Sequence, residues 1–210
     1  HKASGKPGFV NVHVIAGSAQ ASGQLYNSSR DGSALVVTAG LIDNEIFSDD
    51  LVLGPRPGFN QKDVNRQFMK FSWESHDAAG LPMMLRRAFK VATTEPGGPV
   101  YLAVPNYVME KPDVSADIYD HHHFMIPSEV SPNPEQVVEV AKLLLSAKNP
   151  QLYLGDEVAK AGAQAEALEL AELLALQVRE GGMTAYRSFP RTHKLFGGGG
   201  QRDLLVNVGG

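Results

Sequence analysis

The alternation of apolar, strand-like segments with a helix-like segment is the feature that most limits how this chain can fold. Ala34–Ala39 and Val100–Val104 are almost wholly apolar, which is typical of parallel strands that are covered on both faces. Between them, Asp77–Thr93 repeats apolar residues at the helical period, with a proline placed for its first turn. This order predicts an α/β fold in which parallel sheets are flanked by helices.

The N-terminal part of the chain has the same pattern and brings candidate functional residues together. Gly8–Ile15 alternates like a strand, and Ala16–Asn27 is a helix candidate rich in small residues. His13 therefore stands near the carboxyl end of a strand, where α/β proteins bind ligands, and histidine can exchange a proton near neutral pH. From the residues alone, His13 is either structural or a proton carrier, and the turn at Gly17 either packs tightly or faces a ligand.

A second α/β unit follows a polar, proline-containing stretch that we interpret as a linker. Its first helix is predicted at Pro134–Lys148, with these residues facing inward: Val137, Val138, Ala141, Leu144 and Leu145. The later elements are predicted in this order: a strand at Gln151–Leu154, a helix at Ala161–Leu176, a strand from Gln177 and a strand at Asp203–Val208.

Composition excludes several classes of function. The 210 residues contain no Cys, which excludes disulfides, thiolate catalysis and cysteine-based metal sites. We expect a reducing, cytoplasmic location. A formal net charge of −4 provides no basic surface for nucleic acid, and no apolar run approaches the ~18 residues of a membrane span. We therefore expect neither nucleic acid nor membrane as a partner.

Other polar or glycine-rich runs favour structural interpretations. His121–His123 has no second cluster at metal-ligand spacing, so solvated or packed histidines are favoured over a metal site. Gly197–Gly200 is interpreted as an irregular connection. The turn at Gly17 lacks the glycine spacing of a nucleotide-binding loop.

Several short motifs also occur in a distinctive order. They are SGKPG at 4–8, His13-x-x-Ala16-Gly17 with Gln20, VTAG at 37–40, KFS at 70–72, GPVYLAVP at 98–105 and FPRTH at 189–193. In this order they resemble the thiamine-diphosphate-dependent enzymes of the acetolactate synthase, pyruvate decarboxylase and benzoylformate decarboxylase superfamily. The benzoylformate decarboxylase branch is most similar, because it shares the histidine before the turn and the VTAG motif.

The resemblance implies a division of the chain and a set of site residues. Residues 1–108 would be a pyrimidine-binding domain without its N-terminal part, 109–133 a linker and 134–210 part of a central domain. His13 would relay protons beside the thiazolium ring of the cofactor. Gly17 and Gln20 would lie at the pyrimidine pocket, with Gln20 in place of the usual Asn.

The implied activity is decarboxylation of a 2-oxo acid, carboligation, or both, on a 2-oxo acid or aldehyde substrate. The implied cofactors are thiamine diphosphate and Mg²⁺, and the implied assembly is a homodimer or homotetramer. The usual catalytic glutamate is expected about a dozen residues upstream of His1 and the Mg²⁺ ligands in a further domain, so we expect neither here. Asp156 does not fit the Mg²⁺ motif.

Alternatives remain within and beyond this resemblance. An acetolactate-synthase-like enzyme or an aldehyde lyase fits the same motifs, and so does a non-catalytic paralogue. The upstream residue, glutamate or not, would separate enzyme from paralogue. No residue indicates FAD or ADP on the central domain. Relatives carry a helix between the positions of Phe196 and Asp203, so we expect residues to be omitted there, and Arg202 stands where the benzoylformate branch has a second histidine.

Overall fold

The computed structural model describes residues 1–42, 58–120, 130–182 and 184–209. The chain divides into two compact units, His1–Ser128 and Glu129–Gly210. Both contain parallel strands flanked by helices, which confirms the predicted α/β fold. The run His121–His123 lies outside the described residues, and the predicted functional domain limits remain a prediction.

The first unit is built on a parallel sheet in the order β1-β2-β4-β3. Its strands are β1 (Gly8–Val12), β2 (Leu35–Leu41), β3 (Phe71–Glu74) and β4 (Pro99–Pro105). Its helices are α1 (Ala16–Gln20), α2 (Ser22–Arg30), α3 (Leu81–Thr93) and α4 (Asn106–Met109), with 3₁₀ helices at Gln61–Asp63 and Arg66–Phe68. Because every described pair is parallel, the carboxyl ends of these strands lie at one edge of the sheet.

The central strands of this sheet explain its core. All residues of β4 are buried, and Val36 and Val37 of β2 are fully buried, as the apolar runs predict for strands covered on both faces. Helix α3 covers one face with Ala88 and Ala92 against β2 and β4. Pro82 stands in its first turn, where the missing N–H has no intrahelical acceptor to lose.

The second unit has a parallel sheet in the order β6-β5-β7. Its strands are β5 (Pro150–Leu154), β6 (Gln177–Glu180) and β7 (Leu204–Val208). Its helices are α5 (Pro134–Ser146), α6 (Asp156–Lys160) and α7 (Gln164–Leu173). A separate core joins Leu152, Leu154, Leu176 and Val178, each at most 1% exposed. Among the described residues, no helix is long and apolar enough to cross a membrane.

The connection into β7 is irregular across its described residues, 184–203. Phe196 forms an isolated parallel bridge with Val178 of β6. Strand β7 lies on the side of β5 that faces away from β6. The glycine run between Phe196 and β7 passes the starts of β6 and β5. A Cβ on Gly198 would clash with the Gln177 side-chain oxygen, and the Gly200 carbonyl accepts from Gln151. Glycine at 198 leaves room for the Gln177 side chain, and Gly197 has a positive φ of 82°, which favours glycine.

The predicted inward face of α5 is wrong. Only Leu144 is buried, and Val137, Val138 and Leu145 are 50%, 52% and 72% exposed. Helical periodicity identifies residues that share a face, but it does not show which part of that face has an element packed against it.

Candidate active site

The carboxyl edge of the first sheet carries the predicted site residue His13. Val12, the last residue of β1, pairs with Ala39 of β2, and the chain leaves the sheet at the next residue. The His13 side chain is exposed, and its Nδ1 lies 3.3 Å from the carbonyl oxygen of Val14. The imidazole is therefore placed at the edge where parallel sheets bind ligands.

Gly17 determines how closely α1 approaches the end of β1. A Cβ at this position would lie 3.0 Å from the Cβ of His13 and 3.3 Å from the backbone carbon of Val12. The structure thus brings Gly17 and His13 into contact, as expected for neighbours across a tight turn. Gln20, the last residue of α1, is exposed, and the described residues include no hydrogen bond between its side chain and His13.

A buried glutamine that the sequence analysis missed holds this turn from the other side. Gln61 is 2% exposed. Its Oε1 accepts from the backbone N–H of Ile15 at 3.3 Å, and its Nε2 donates to the Gly40 carbonyl at 2.7 Å and to the Tyr101 hydroxyl at 2.8 Å. One side chain therefore links the turn after β1 to the end of β2 and to the middle of β4.

Tyr101 connects the same network to α1. Its hydroxyl lies 3.1 Å from Oγ of Ser18, which is 1% exposed. The backbone carbonyl of Ser18 accepts from the Asn65 amide, and Asn65 Oδ1 lies 2.7 Å from the Ser22 hydroxyl. The sequence signal for Tyr101 was a phenol within an otherwise apolar strand, since a buried phenol needs a hydrogen-bond partner.

The environment keeps the Tyr101 phenol neutral. Burial raises its pKa above the ordinary value, and the nearby carboxylate of Glu74 adds to the effect, while the hydrogen bonds to Ser18 and Gln61 oppose it. At neutral pH the hydroxyl is therefore a donor and acceptor within the network and carries no charge.

Further proton-bearing side chains stand at the end of β3, on the same edge of the sheet. His76 Nδ1 lies 3.3 Å from the Tyr107 hydroxyl and 4.0 Å from Oε1 of Glu74. Ser75 anchors the segment, since its backbone N–H donates to the Ala103 carbonyl of β4. This edge thus carries imidazole, carboxyl and phenol groups.

The described residues fit the ring-binding part of thiamine diphosphate better than its diphosphate part. Exposed His13 and Gln20 offer an imidazole and an amide beside a sheet edge. Within the described ranges, no group of three or more His, Asp or Glu residues could hold a metal ion. An exposed imidazole and an exposed amide can both make polar contacts with an aromatic ring.

Asp156 has a structural role in the second unit. Its carboxylate accepts the backbone N–H groups of Ala185 and Tyr186 at 3.0 and 3.1 Å. Glu180 holds the following residues in the same way, accepting from the N–H groups of Ser188 and Phe189. These two carboxylates fix the loop that precedes the FPRTH motif.

Comparisons with known proteins connect this fold and edge to particular enzymes. No protein-family profile matches the chain. Benzoylformate decarboxylase of Pseudomonas aeruginosa is 30% identical over 196 residues, covering 93% of this chain and 36% of that protein. A probable acetolactate synthase large subunit of Methanococcus aeolicus is 29% identical over 189 residues, covering 84% of this chain and 29% of that protein.

Solved structures of enzymes with similar sequences share this fold. Benzoylformate decarboxylase from Polynucleobacter necessarius superposes with a TM-score of 0.84 at 26% identity, covering 99% of this chain and 40% of that one. A thiamine-diphosphate-dependent 4-hydroxybenzoylformate decarboxylase of Rhodococcus jostii gives 0.77 at 28% identity, covering 96% and 40%.

The fold, the residues at the sheet edge and these similarities define the class of protein. The chain belongs to the thiamine-diphosphate-dependent enzyme superfamily and corresponds to part of the length of its members. It spans about a third of the length of the curated relatives it matches.

Proposed function

We propose that the protein containing this chain catalyses thiamine-diphosphate-dependent decarboxylation of a 2-oxo acid, carboligation, or both, in the manner of a benzoylformate decarboxylase. The observation that carries the proposal is the exposed His13 at the carboxyl end of β1, in a turn packed through Gly17. An imidazole in that place can exchange protons with a bound reactant.

In this proposal the residues of the chain orient the cofactor and exchange protons with the reacting group. Thiamine diphosphate, when bound, supplies the electron sink that makes carbon–carbon bond cleavage possible. His13 holds a proton at an imidazole nitrogen and delivers it to, or removes it from, the reacting group. Gly17 lets α1 approach the strand end, and Gln20 offers its side-chain amide to the pyrimidine ring.

The remaining parts of the activity lie with the whole protein. We propose that Mg²⁺ is held by residues beyond this chain and that self-association as a homodimer or homotetramer completes the site. An acetolactate-synthase-like reaction is the second candidate, supported by the 29% identity to the synthase subunit of Methanococcus aeolicus.

The test is replacement of His13 in the full-length protein. We expect His13→Ala to lower the rate of decarboxylation of benzoylformate or pyruvate by about 10²–10⁴-fold, the usual contribution of a general acid–base residue. Thiamine diphosphate binding, measured by fluorescence titration with Mg²⁺ present and absent, should change little.

His193→Gln is the matched control, since it removes a histidine of the second unit that bonds Glu172 on α7. It should retain turnover. Unchanged decarboxylation and carboligation in His13→Ala would reject the proton-carrier role, and a wild-type protein that binds no thiamine diphosphate would reject the proposed function itself.

A further inference from the structure

Three buried polar side chains next to α1 form a hydrogen-bond network. Ser18, Gln61 and Tyr101 are 1%, 2% and 2% exposed, yet they meet in a region that is otherwise apolar. A buried polar group that loses its partner is costly, so such a network holds its members in one arrangement.

The directions of the Gln61 hydrogen bonds are set by its backbone partners. Gln61 Oε1 accepts from the Ile15 N–H and its Nε2 donates to the Gly40 carbonyl, so the orientation of the amide is unambiguous. The second Nε2 hydrogen points to the Tyr101 oxygen, and the Tyr101 and Ser18 hydroxyls share a hydrogen bond in which either oxygen can be the donor. The Tyr101 hydroxyl is thus hydrogen-bonded to two separate segments of the chain.

Both partners of Tyr101 act on the turn that carries His13. Gln61 fixes Ile15, whose backbone has a positive φ of 38°, a conformation that a β-branched residue rarely adopts. Ser18 fixes α1 directly after Gly17, which packs against the Cβ of His13. A shift of either contact therefore moves the backbone on which the imidazole stands.

We propose that Tyr101 is a positioning residue for His13, acting through Ser18 on α1 and through Gln61 on Ile15. The proposal rests on the proposed function of His13 as a proton carrier. It assigns to the hydroxyl of a buried strand residue the task of keeping the turn in one conformation, without any contact between Tyr101 and substrate.

The test uses Tyr101→Phe in the full-length protein, because this change removes only the hydroxyl. We expect kcat for 2-oxo acid decarboxylation to fall about tenfold with little change in KM, since the turn then samples arrangements in which His13 is misplaced. Comparison with His13→Ala identifies the part of the pH–rate profile that depends on His13. In Tyr101→Phe, this part of the profile should move along the pH axis.

A second readout does not depend on activity. In protein labelled with ¹³C-histidine, the His13 Cε1–H resonance, assigned by its absence in His13→Asn, should change its chemical shift in Tyr101→Phe. Ser28→Ala is the matched control, since it deletes a 2.8 Å hydrogen bond to the Ser33 carbonyl in the same unit. It should lower stability and leave both the resonance and kcat unchanged.

The outcomes separate the two proposals. A folded Tyr101→Phe protein with the wild-type resonance, pH profile and kcat overturns the positioning role and leaves the proposed function intact. A wild-type protein without thiamine-diphosphate-dependent activity overturns the proposed function, while the resonance still decides the positioning role. If Tyr101→Phe does not fold, Ser18→Ala is measured in the same way, and an unchanged His13 resonance in that variant overturns the proposal.

Discussion

At the scale of single residues, some side chains of the candidate site can be predicted from the sequence and others cannot. His13 and Gly17 could be found because a histidine and a glycine follow a strand pattern. Gln61 stands in an irregular stretch that gives no such pattern, and the only sequence signal for Tyr101 is a phenol within an apolar run. Their importance comes from atoms that meet only after folding, with Gln61 Nε2 2.8 Å from the Tyr101 hydroxyl.

Gly17→Ala tests the close approach at this scale. We expect a loss of about 1–2 kcal/mol in the free energy of unfolding, because the new Cβ would be 3.0 Å from the His13 Cβ. Turnover should fall as well, since His13 must move. Urea unfolding and steady-state kinetics measure the two effects.

The matched control is Gly23→Ala, on α2. A Cβ there has nothing within 4 Å, so the better helix propensity of alanine should add about 0.5–1 kcal/mol without loss of turnover. Equal stability changes in the two variants would show that α1 does not pack against His13 as described.

At the scale of elements, the amphipathic and apolar patterns identified most helices and strands, and contacts with distant segments act at their ends. The strand predicted from Asp203 begins at Leu204, and the Asp203 carboxylate contacts another segment. It accepts the backbone N–H groups of Lys148 and Asn149 at 2.7 and 2.9 Å, between α5 and β5. Asp203 therefore ties the start of β7 to the start of β5.

Asp203 makes the stability of the second unit depend on pH. The hydrogen bonds from Lys148 and then Asn149 lower the pKa of its carboxyl below the ordinary value. A lowered pKa stabilises the fold above the unfolded-state pKa of about 4, and this contribution is lost as the pH falls through the lower, folded value.

We expect Asp203→Asn to lower the urea midpoint at pH 7 and to show a shallower fall in that midpoint below about pH 4. Glu169→Gln, which removes one exposed charge of α7 in the same unit, is the control and should leave the acid limb as in the wild type. An Asp203→Asn protein with the wild-type acid limb would contradict the linkage.

At the scale of the whole molecule, the described residues form three buried apolar clusters in the first unit and one in the second. One cluster of the first unit gathers Leu25, Val37 and Tyr101, and the cluster of the second unit gathers Leu152 and Val178. Because each buried cluster of the described residues lies within one unit, we expect a core substitution to act first on the unit that contains it.

Calorimetry of the full-length protein tests this expectation. Leu152→Ala should destabilise the second unit by about 2–5 kcal/mol and lower the midpoint of one transition, because Leu152 is 1% exposed. Leu25→Ala, from a residue 2% exposed, is the reciprocal variant and should lower a different transition. A common shift of all transitions in both variants would mean that the units unfold together.

The amino-acid sequence by itself determined the α/β class, the order of most elements, the resemblance to thiamine-diphosphate-dependent enzymes and the place of His13 at a strand end. These follow from periodicity and local motifs, which are properties of neighbours in the chain. Only the tertiary structure decided that Gln61 and Tyr101 hold the turn of His13, that Asp156 fixes a loop, and that most of α5 is exposed. Those outcomes depend on contacts between residues far apart in sequence, and no local pattern specifies which surfaces or buried polar atoms will meet.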